Sequence, residues 1–278
     1  MTSKYNIRLL TKADSPQAAK LWSLVFGDEE AVVLEFFRLF GDEQGFGACA
    51  EMDGTIAAAA YAPAGTDYIA PDGTAHEGVY LYAVATHPDH RERGLARKVC
   101  NLLKDTAWAQ GKNYLFTRPS EESLYNWYEE KIGAVPLMGC QTLQYERAEE
   151  VSLPCRQLTA EEYLALRKEA LTGLPHVRQS MQWMHWEHTL HTAYGGGFYA
   201  VGDHIADVYF DGSAVHVNEL LPHPTVEEAE TVCRALMGHL GAETCECLIH
   251  GDGHYVSVAA RDGCELPREN GWFGPCYA

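Results

Sequence analysis

Long apolar runs are absent from this chain. No stretch approaches the roughly 20 consecutive apolar residues that span a bilayer, so no transmembrane helix is expected. The opening residues, Met1 to Asn6, lack an apolar core and a cleavage pattern and do not read as a secretory signal. Positive charge is scarce too: 21 Lys and Arg stand against 39 Asp and Glu, a net charge of −18. Such a surface repels phosphate backbones and anionic headgroups, so neither nucleic acid nor membrane is an expected partner. It suits a small cationic or amine substrate, and it serves solubility equally well. A regular cysteine framework is also missing. Nine Cys, an odd number without paired spacing, fit a reducing cytoplasm better than a disulfide scaffold, so a cytoplasmic location is expected.

What is present indicates a folded chain of two parts. A hydrophobic content of 46% is too high for disorder. The 278 residues accommodate two domains of ordinary size. The most informative stretch runs from Glu77 to Gly111. Val79 to Thr86 is β-branched and aromatic and reads as a strand, which Pro88 stops because it has no N–H to donate. Leu95, Val99, Leu102, Leu103 and Ala107 then recur at helical spacing, and Gly111 ends the helix. The turn between is Arg91-Glu92-Arg93-Gly94-Leu95-Ala96-Arg97. A helix start has N–H groups without internal partners and the positive end of the dipole. Gly94 and Ala96 leave that backbone accessible, and Arg91, Arg93 and Arg97 add positive charge. A pyrophosphate is the ligand that fits.

This Arg-x-x-Gly-x-Ala turn, after a strand ending Val84-Ala85-Thr86-His87-Pro88, resembles the acetyl-CoA site of the GNAT N-acetyltransferase superfamily. The specific motif covers only Val84 to Ala96. The layout covers more: from Ile7 to Arg147 the elements read β-α-α-β-β-β-α-β-α-β, the order of that fold. In this reading Ile7–Leu10 is a strand, and Thr11 or Asp14 caps a helix over Ala18–Val25. A second helix carries Val32, Val33, Phe36, Phe37 and Leu39. Asp53-Gly54 turns a hairpin, Tyr68–Ala75 is a loop, Glu121–Lys131 is a helix and Leu143–Arg147 is the last strand. The resemblance thus implies an α/β class with a mixed sheet, the acyl-CoA N-acyltransferase fold, over residues 1–148.

After a linker at Glu149–Pro154, residues 151–278 run through a comparable series. Helices are expected at Thr159–Leu171, Gln179–Tyr194 and from Thr225 to Leu240, with Glu228 at the capping-box position. Strands are expected at Phe198–Gly202, His204–Phe210, Val215–Leu221, Cys245–His250 and Tyr255–Ala259. The basic turn is missing there, and acidic residues follow Pro224, where they repel a pyrophosphate. The expectation is a degenerate second GNAT-like domain without a CoA site, similar to the tandem arrangement of the enhanced-intracellular-survival proteins. It would supply a substrate cleft or an interaction surface.

Acyl transfer to an amine needs an anchored thioester, a neutral amine and a protonated leaving thiolate. The resemblance assigns acetyl-CoA as cosubstrate, with no metal. Val84, Ala85 and Thr86 would pair with the pantetheine amides, and the N–H groups of Glu92 to Arg97 would hold the pyrophosphate. Asn126 would bond the CoA arm. Two tyrosines are candidates for the thiolate acid. Tyr128, in Tyr128-Glu-Glu-Lys-Ile-Gly133, matches one family pattern with an extra residue. Tyr125, in Ser120-Glu-Glu-Ser-Leu-Tyr125, matches the survival-type pattern. They lie three apart and can share a helix face; the plainer reading of each is a half-buried aromatic. The fourth-strand position where family members carry a basic Glu is Tyr80. Glu77 lies earlier and on the other face, so a solvated strand end competes with a base there. A base reached through water, or a carboxylate at Ala278, stays open. His185-x-x-His188-x-x-His191 walks around its helix, and Cys245-x-Cys247 lacks a second pair, so no metal is expected. The acceptor's identity and the oligomeric state, a homo-oligomer included, are not legible. A non-catalytic acyl-CoA-binding module is the competing reading.

Overall fold

Asn6–Leu9 forms β1, and the chain then turns into helix α1 at Ser15–Phe26, in a computed structural model that describes residues 5–148, 151–267 and 270–275. Asp14 ties this entry down. Its carboxylate accepts from the Thr11 N–H at 2.8 Å and from Arg8 Nη1 at 2.8 Å. Gly27, with φ of +89°, ends α1 in a left-handed conformation that favours glycine. Helix α2 covers Glu30–Phe40. Strands β2, Gly47–Met52, and β3, Thr55–Tyr61, follow as a hairpin turned at Asp53-Gly54.

Next come β4 (Thr66–Ile69), β5 (Ala75–His76), β6 (Gly78–Tyr80), β7 (Tyr82–Thr86), α3 (Leu95–Ala109), β8 (Tyr114–Thr117), α4 (Glu122–Ile132) and β9 (Val135–Glu146). The remainder is β10 (Cys155–Leu158), α5 (Ala160–Ala170), β11 (His176–Gln179), α6 (Met181–Ala193), β12 (Gly197–Val201), β13 (His204–Phe210), β14 (Ala214–Leu221), α7 (Val226–Leu240), β15 (Thr244–His250) and β16 (Gly253–Ala260). None of the helices among the described residues is long and apolar enough to cross a membrane.

The class is mixed α/β. One sheet has the order β1-β2-β3-β7, and a nine-stranded sheet has the order β10-β12-β13-β14-β15-β9-β16-β8-β6. The alanines of β2 and β3 let α3 approach their face closely, where Leu95, Val99 and Leu103 pack on Ala48, Ala58 and Ala60. On the opposite face Trp22 of α1 and Phe36 of α2 meet Trp186 of α6, with ring centroids 5.9 and 5.3 Å apart. Burying each such ring contributes roughly 2–3 kcal/mol, so the second half is joined to the first through an aromatic layer.

Several expectations are corrected here. The stretch Tyr68–Ala75 is not a loop. Its flanks form β4 and β5, which pair with each other and, through β4, with β11. The turn residues at Pro71-Asp-Gly73 were legible, but the partner strand lies over 100 residues away. Likewise Gln179 ends β11 and is not helical; Ser180 caps α6 by accepting from the Trp183 N–H at 3.3 Å. The expected continuous strand Val79–Thr86 is broken at Leu81. Finally, β9 begins eight residues before the expected Leu143 because it serves two partners. Cys140–Glu146 pairs with β15, and Val135–Cys140 pairs with β16. Gly139 sits where these partners change over, and a side chain there would strike the carbonyls of Gly251 and Gly253.

Candidate active site

The break at Leu81 builds the site. Before it, β6 runs parallel to β8. After it, β7 leaves for the other sheet and pairs with β3, with Thr86 opposite Ala58 and Ala85 opposite Ala59. The other edge of β7 has no strand partner among the described residues. Ala83 adopts φ of +47°, a left-handed conformation that costs a non-glycine residue about 1–2 kcal/mol. Such strain gathers where a backbone is re-aimed for a purpose. The unpaired edge of β7 over Val84–Thr86 can therefore accept an amide-bearing chain as a strand would.

This edge runs between two cavities. At its far end a cavity of about 570 Å³ is lined by Thr86, His90, Arg91, Glu92, Arg93, Gly94, Leu95, Ala96 and Arg97, together with Trp127 and Lys131. Gly94 starts α3 with φ of +67° and offers no side-chain cap, and the first turn of α3 has no acidic residue. Glu92 is also left-handed, at φ of +63°. Every expected member of the turn from Arg91 to Arg97 lines this space. Trp127 and Lys131 were not foreseen. They lie i and i+4 on α4, one face of a helix, and the α3–α4 packing brings them in. Asn101 Nδ2 donates to the Arg97 and Lys131 carbonyls at 2.9 and 3.3 Å, and Lys104 Nζ to the Ile132 carbonyl at 2.7 Å.

At the near end a smaller cavity of about 80 Å³ lies in the fork between β7 and β8. Ala83, Val84, Tyr80, Tyr82, Thr117, Arg118 and Tyr128 are among its walls. Burial pushes the Tyr128 phenol above its ordinary value; nearby Cys100 adds to this, and a hydrogen bond with Thr117 works against it. Tyr125 does not line this cavity. Its hydroxyl donates to the Tyr255 carbonyl on β16 at 3.1 Å. Asn126 is exposed and lines neither cavity. Glu77 is likewise outside both. It is exposed and accepts from Lys112 Nζ at 2.7 Å, which holds its carboxyl below the ordinary range. Ala278 lies outside the described residues.

The second half has a different helix start. At α7, Thr225 Oγ1 accepts from the Glu228 N–H at 3.2 Å, and Glu228 Oε2 accepts from the Thr225 N–H at 2.8 Å. Glu227 and Glu228 make that first turn acidic. Beside it His223, His250 and Trp272 cluster with ring centroids 5.3 to 6.4 Å apart. The three-histidine run of α6 does not converge. His185 faces Glu161 at 3.3 Å, whereas His191 is buried and pairs with Asp207 at 2.6 Å. Among the described residues no group of His, Cys, Asp and Glu is arranged to hold a metal.

The sequence profile of the acetyltransferase (GNAT) domain matches residues 6–129. Over that stretch the chain is similar to a GNAT acetyltransferase domain. Over 92% of its length the chain shares its fold with solved GNAT-type structures. A probable N-acyltransferase from Enterococcus faecalis is 10% identical at a TM-score of 0.65, covering 92% of this chain and 73% of that one. Eis1 from Mycobacterium abscessus is 16% identical at 0.63, over 92% and 74%. A tandem GNAT protein from the clavulanic acid biosynthesis pathway is 13% identical at 0.55, over 92% and 98%. At such identities the likeness establishes fold, not substrate. No curated protein matches the chain by sequence.

Proposed function

We propose that this GNAT protein transfers an acetyl group from acetyl-CoA to the amine of a small acceptor, cationic in solution, by direct attack. One observation carries the reading. The unpartnered edge of β7 leads from a basic, uncapped helix start to a buried tyrosine. The pyrophosphate lies against the N–H groups of the turn and against Arg91, Arg93 and Arg97, where dipole and charge act together. Pantetheine adds to β7 as a short strand, which brings the thioester to the fork at Ala83. The neutral amine attacks the thioester carbonyl, and the resulting tetrahedral centre expels the thiolate. Tyr128, which of the two candidate tyrosines is the one that lines the fork, gives the thiolate its proton. Among the described residues the lining of the small cavity holds no carboxylate or imidazole; a path through water carries the amine's proton away. The capped, acidic start of α7 disfavours a second cofactor site, and residues 151–278 form a degenerate GNAT-like unit that shapes the acceptor side of the first.

A lining without a carboxylate among the described residues also favours a second reading, a non-catalytic acyl-CoA-binding module. Calorimetry with acetyl-CoA, followed by thiol release across polyamines, aminoglycosides and amino acids, separates the two. Binding with turnover supports the enzyme. Binding without turnover of any amine supports the module, and absence of binding removes both.

A further inference from the structure

Glu219 of β14 and Arg167 of α5 are both almost wholly buried, at 0% and 2% exposure, in the interior of the second half. Arg167 Nε lies 3.1 and 2.9 Å from the two Glu219 oxygens. The carboxylate also accepts from the Tyr163 hydroxyl at 2.7 Å and from the Trp272 indole N–H at 2.5 Å. The rest of the guanidinium is directed at backbone. Nη1 donates to the Val177 carbonyl at 2.9 Å, and Nη2 to the Phe273 carbonyl at 3.2 Å. Gln179 Nε2 donates to the Pro275 carbonyl at 2.6 Å, and the Val177 N–H to the Trp272 carbonyl at 2.7 Å. Five of these eight bonds end on the segment Trp272–Pro275 or on the strand β11 beside it.

A buried ion pair is costly and adds little to stability relative to apolar packing. What it supplies is one defined geometry for the groups it holds. Here the held group is Phe273. Its ring lies 5.1 Å from Tyr80 and 5.6 Å from Phe116. Tyr80 is a wall of the small cavity in the fork. A continuous path of contact therefore runs from Glu219 through Arg167 and Phe273 to Tyr80. It stays on the face of the sheet that carries Trp22 and Phe36. The helix turn that would seat the cofactor belongs to the opposite face, with Leu95 and Val99.

We propose that Arg167 and Glu219 are positioning residues for the acceptor: they fix Phe273 against Tyr80 and so set the wall that the incoming amine meets. The second half then contributes to the reaction in the first without touching the cofactor. This inference rests on the reading of the protein as an amine acetyltransferase.

The test uses the full chain as wild type, Arg167→Lys, Phe273→Ala and Phe273→Leu. Lysine keeps the charge beside Glu219 but cannot reach both carbonyls. The amine KM is measured at saturating acetyl-CoA, with acetyl-CoA affinity measured separately by calorimetry and folding checked by thermal unfolding. The expected result is an amine KM raised about 3- to 30-fold in Arg167→Lys and Phe273→Ala, with acetyl-CoA affinity within about twofold of wild type and substantial recovery in Phe273→Leu. A folded Arg167→Lys with unchanged amine KM overturns the proposal. So does an equal loss of acetyl-CoA affinity, which marks general loosening. A wild type that binds acetyl-CoA but acetylates no amine overturns the acetyltransferase reading instead, and the positioning role with it.

Discussion

Ser257 lies directly opposite Thr117, paired across β16 and β8 although 140 positions separate them along the chain. Through this pairing β16, from the far end of the chain, stands between β8 and β9. The arrangement is reciprocal: the last strand of the first half, β9, pairs with β15 of the second. Cutting the chain after residue 148 would expose unpaired edges on β8 and β9, which invite association. Residues 1–148 alone are expected to be insoluble or aggregated. Co-expression with residues 151–278 is expected to restore a soluble complex. A monomeric fragment with sharp thermal unfolding would contradict this.

Gly94→Glu puts a carboxylate on the cofactor seat and a side chain on a left-handed residue. Affinity for acetyl-CoA is expected to fall by about two orders of magnitude or more, on the order of 3 kcal/mol from repulsion and lost backbone approach. Nothing lies within 4 Å of a Cβ built there, so the circular dichroism spectrum should be unchanged. Calorimetry decides.

Lys131→Gln tests whether α4 contributes to the same seat. A solvent-facing cation adds modestly, so affinity should drop about two- to fivefold at low salt. The difference should shrink at 0.5 M salt because of screening. Equal affinity at both salt concentrations would remove Lys131 from the cofactor site.

The two tyrosines are expected to separate in the rate of transfer. Tyr128→Phe deletes the hydroxyl that lines the fork and should lower kcat about 100-fold or more, with little change in the KM for acetyl-CoA. Tyr125→Phe deletes a bond to the Tyr255 carbonyl and should act mainly on stability, by about 1 kcal/mol. The reverse pattern in kcat would assign the acid to Tyr125.

Stability should fall as pH rises toward 8. Burial pushes the Glu187 carboxyl up to about 7, so the folded protein keeps a proton that the unfolded chain releases above the ordinary 4.5. Its favourable contribution is complete below pH 4.5 and is lost as pH climbs through 7. His191 acts in the same direction. Burial lowers its pKa, but the Asp207 and Glu187 carboxylates outweigh burial and raise it, so its stabilising charge is lost as pH climbs past the raised value. Glu187→Gln should flatten the slope between pH 5 and 8. It should also exceed wild type at pH 8, by on the order of 2–3 kcal/mol. Urea unfolding midpoints across that range provide the measurement.

Local chemistry determined much of this protein without tertiary help. Gly94 beside three arginines, Asp53-Gly54 between two apolar runs and the Thr225–Glu228 capping box each act within a few residues, and all three were legible in the sequence. Long-range pairing decided the rest. Nothing near Val79–Thr86 announces that the strand divides at Leu81, because the division depends on β3 and β8 drawing its two ends into different sheets. Nor does residue spacing show that Trp127 and Lys131 complete the basic cavity, or that Arg167 acts through Phe273 on Tyr80. Those relations arise only when distant elements pack. A pattern of periods 2 and 3.6 specifies which face of an element is buried; which partner covers that face is settled by the folded whole.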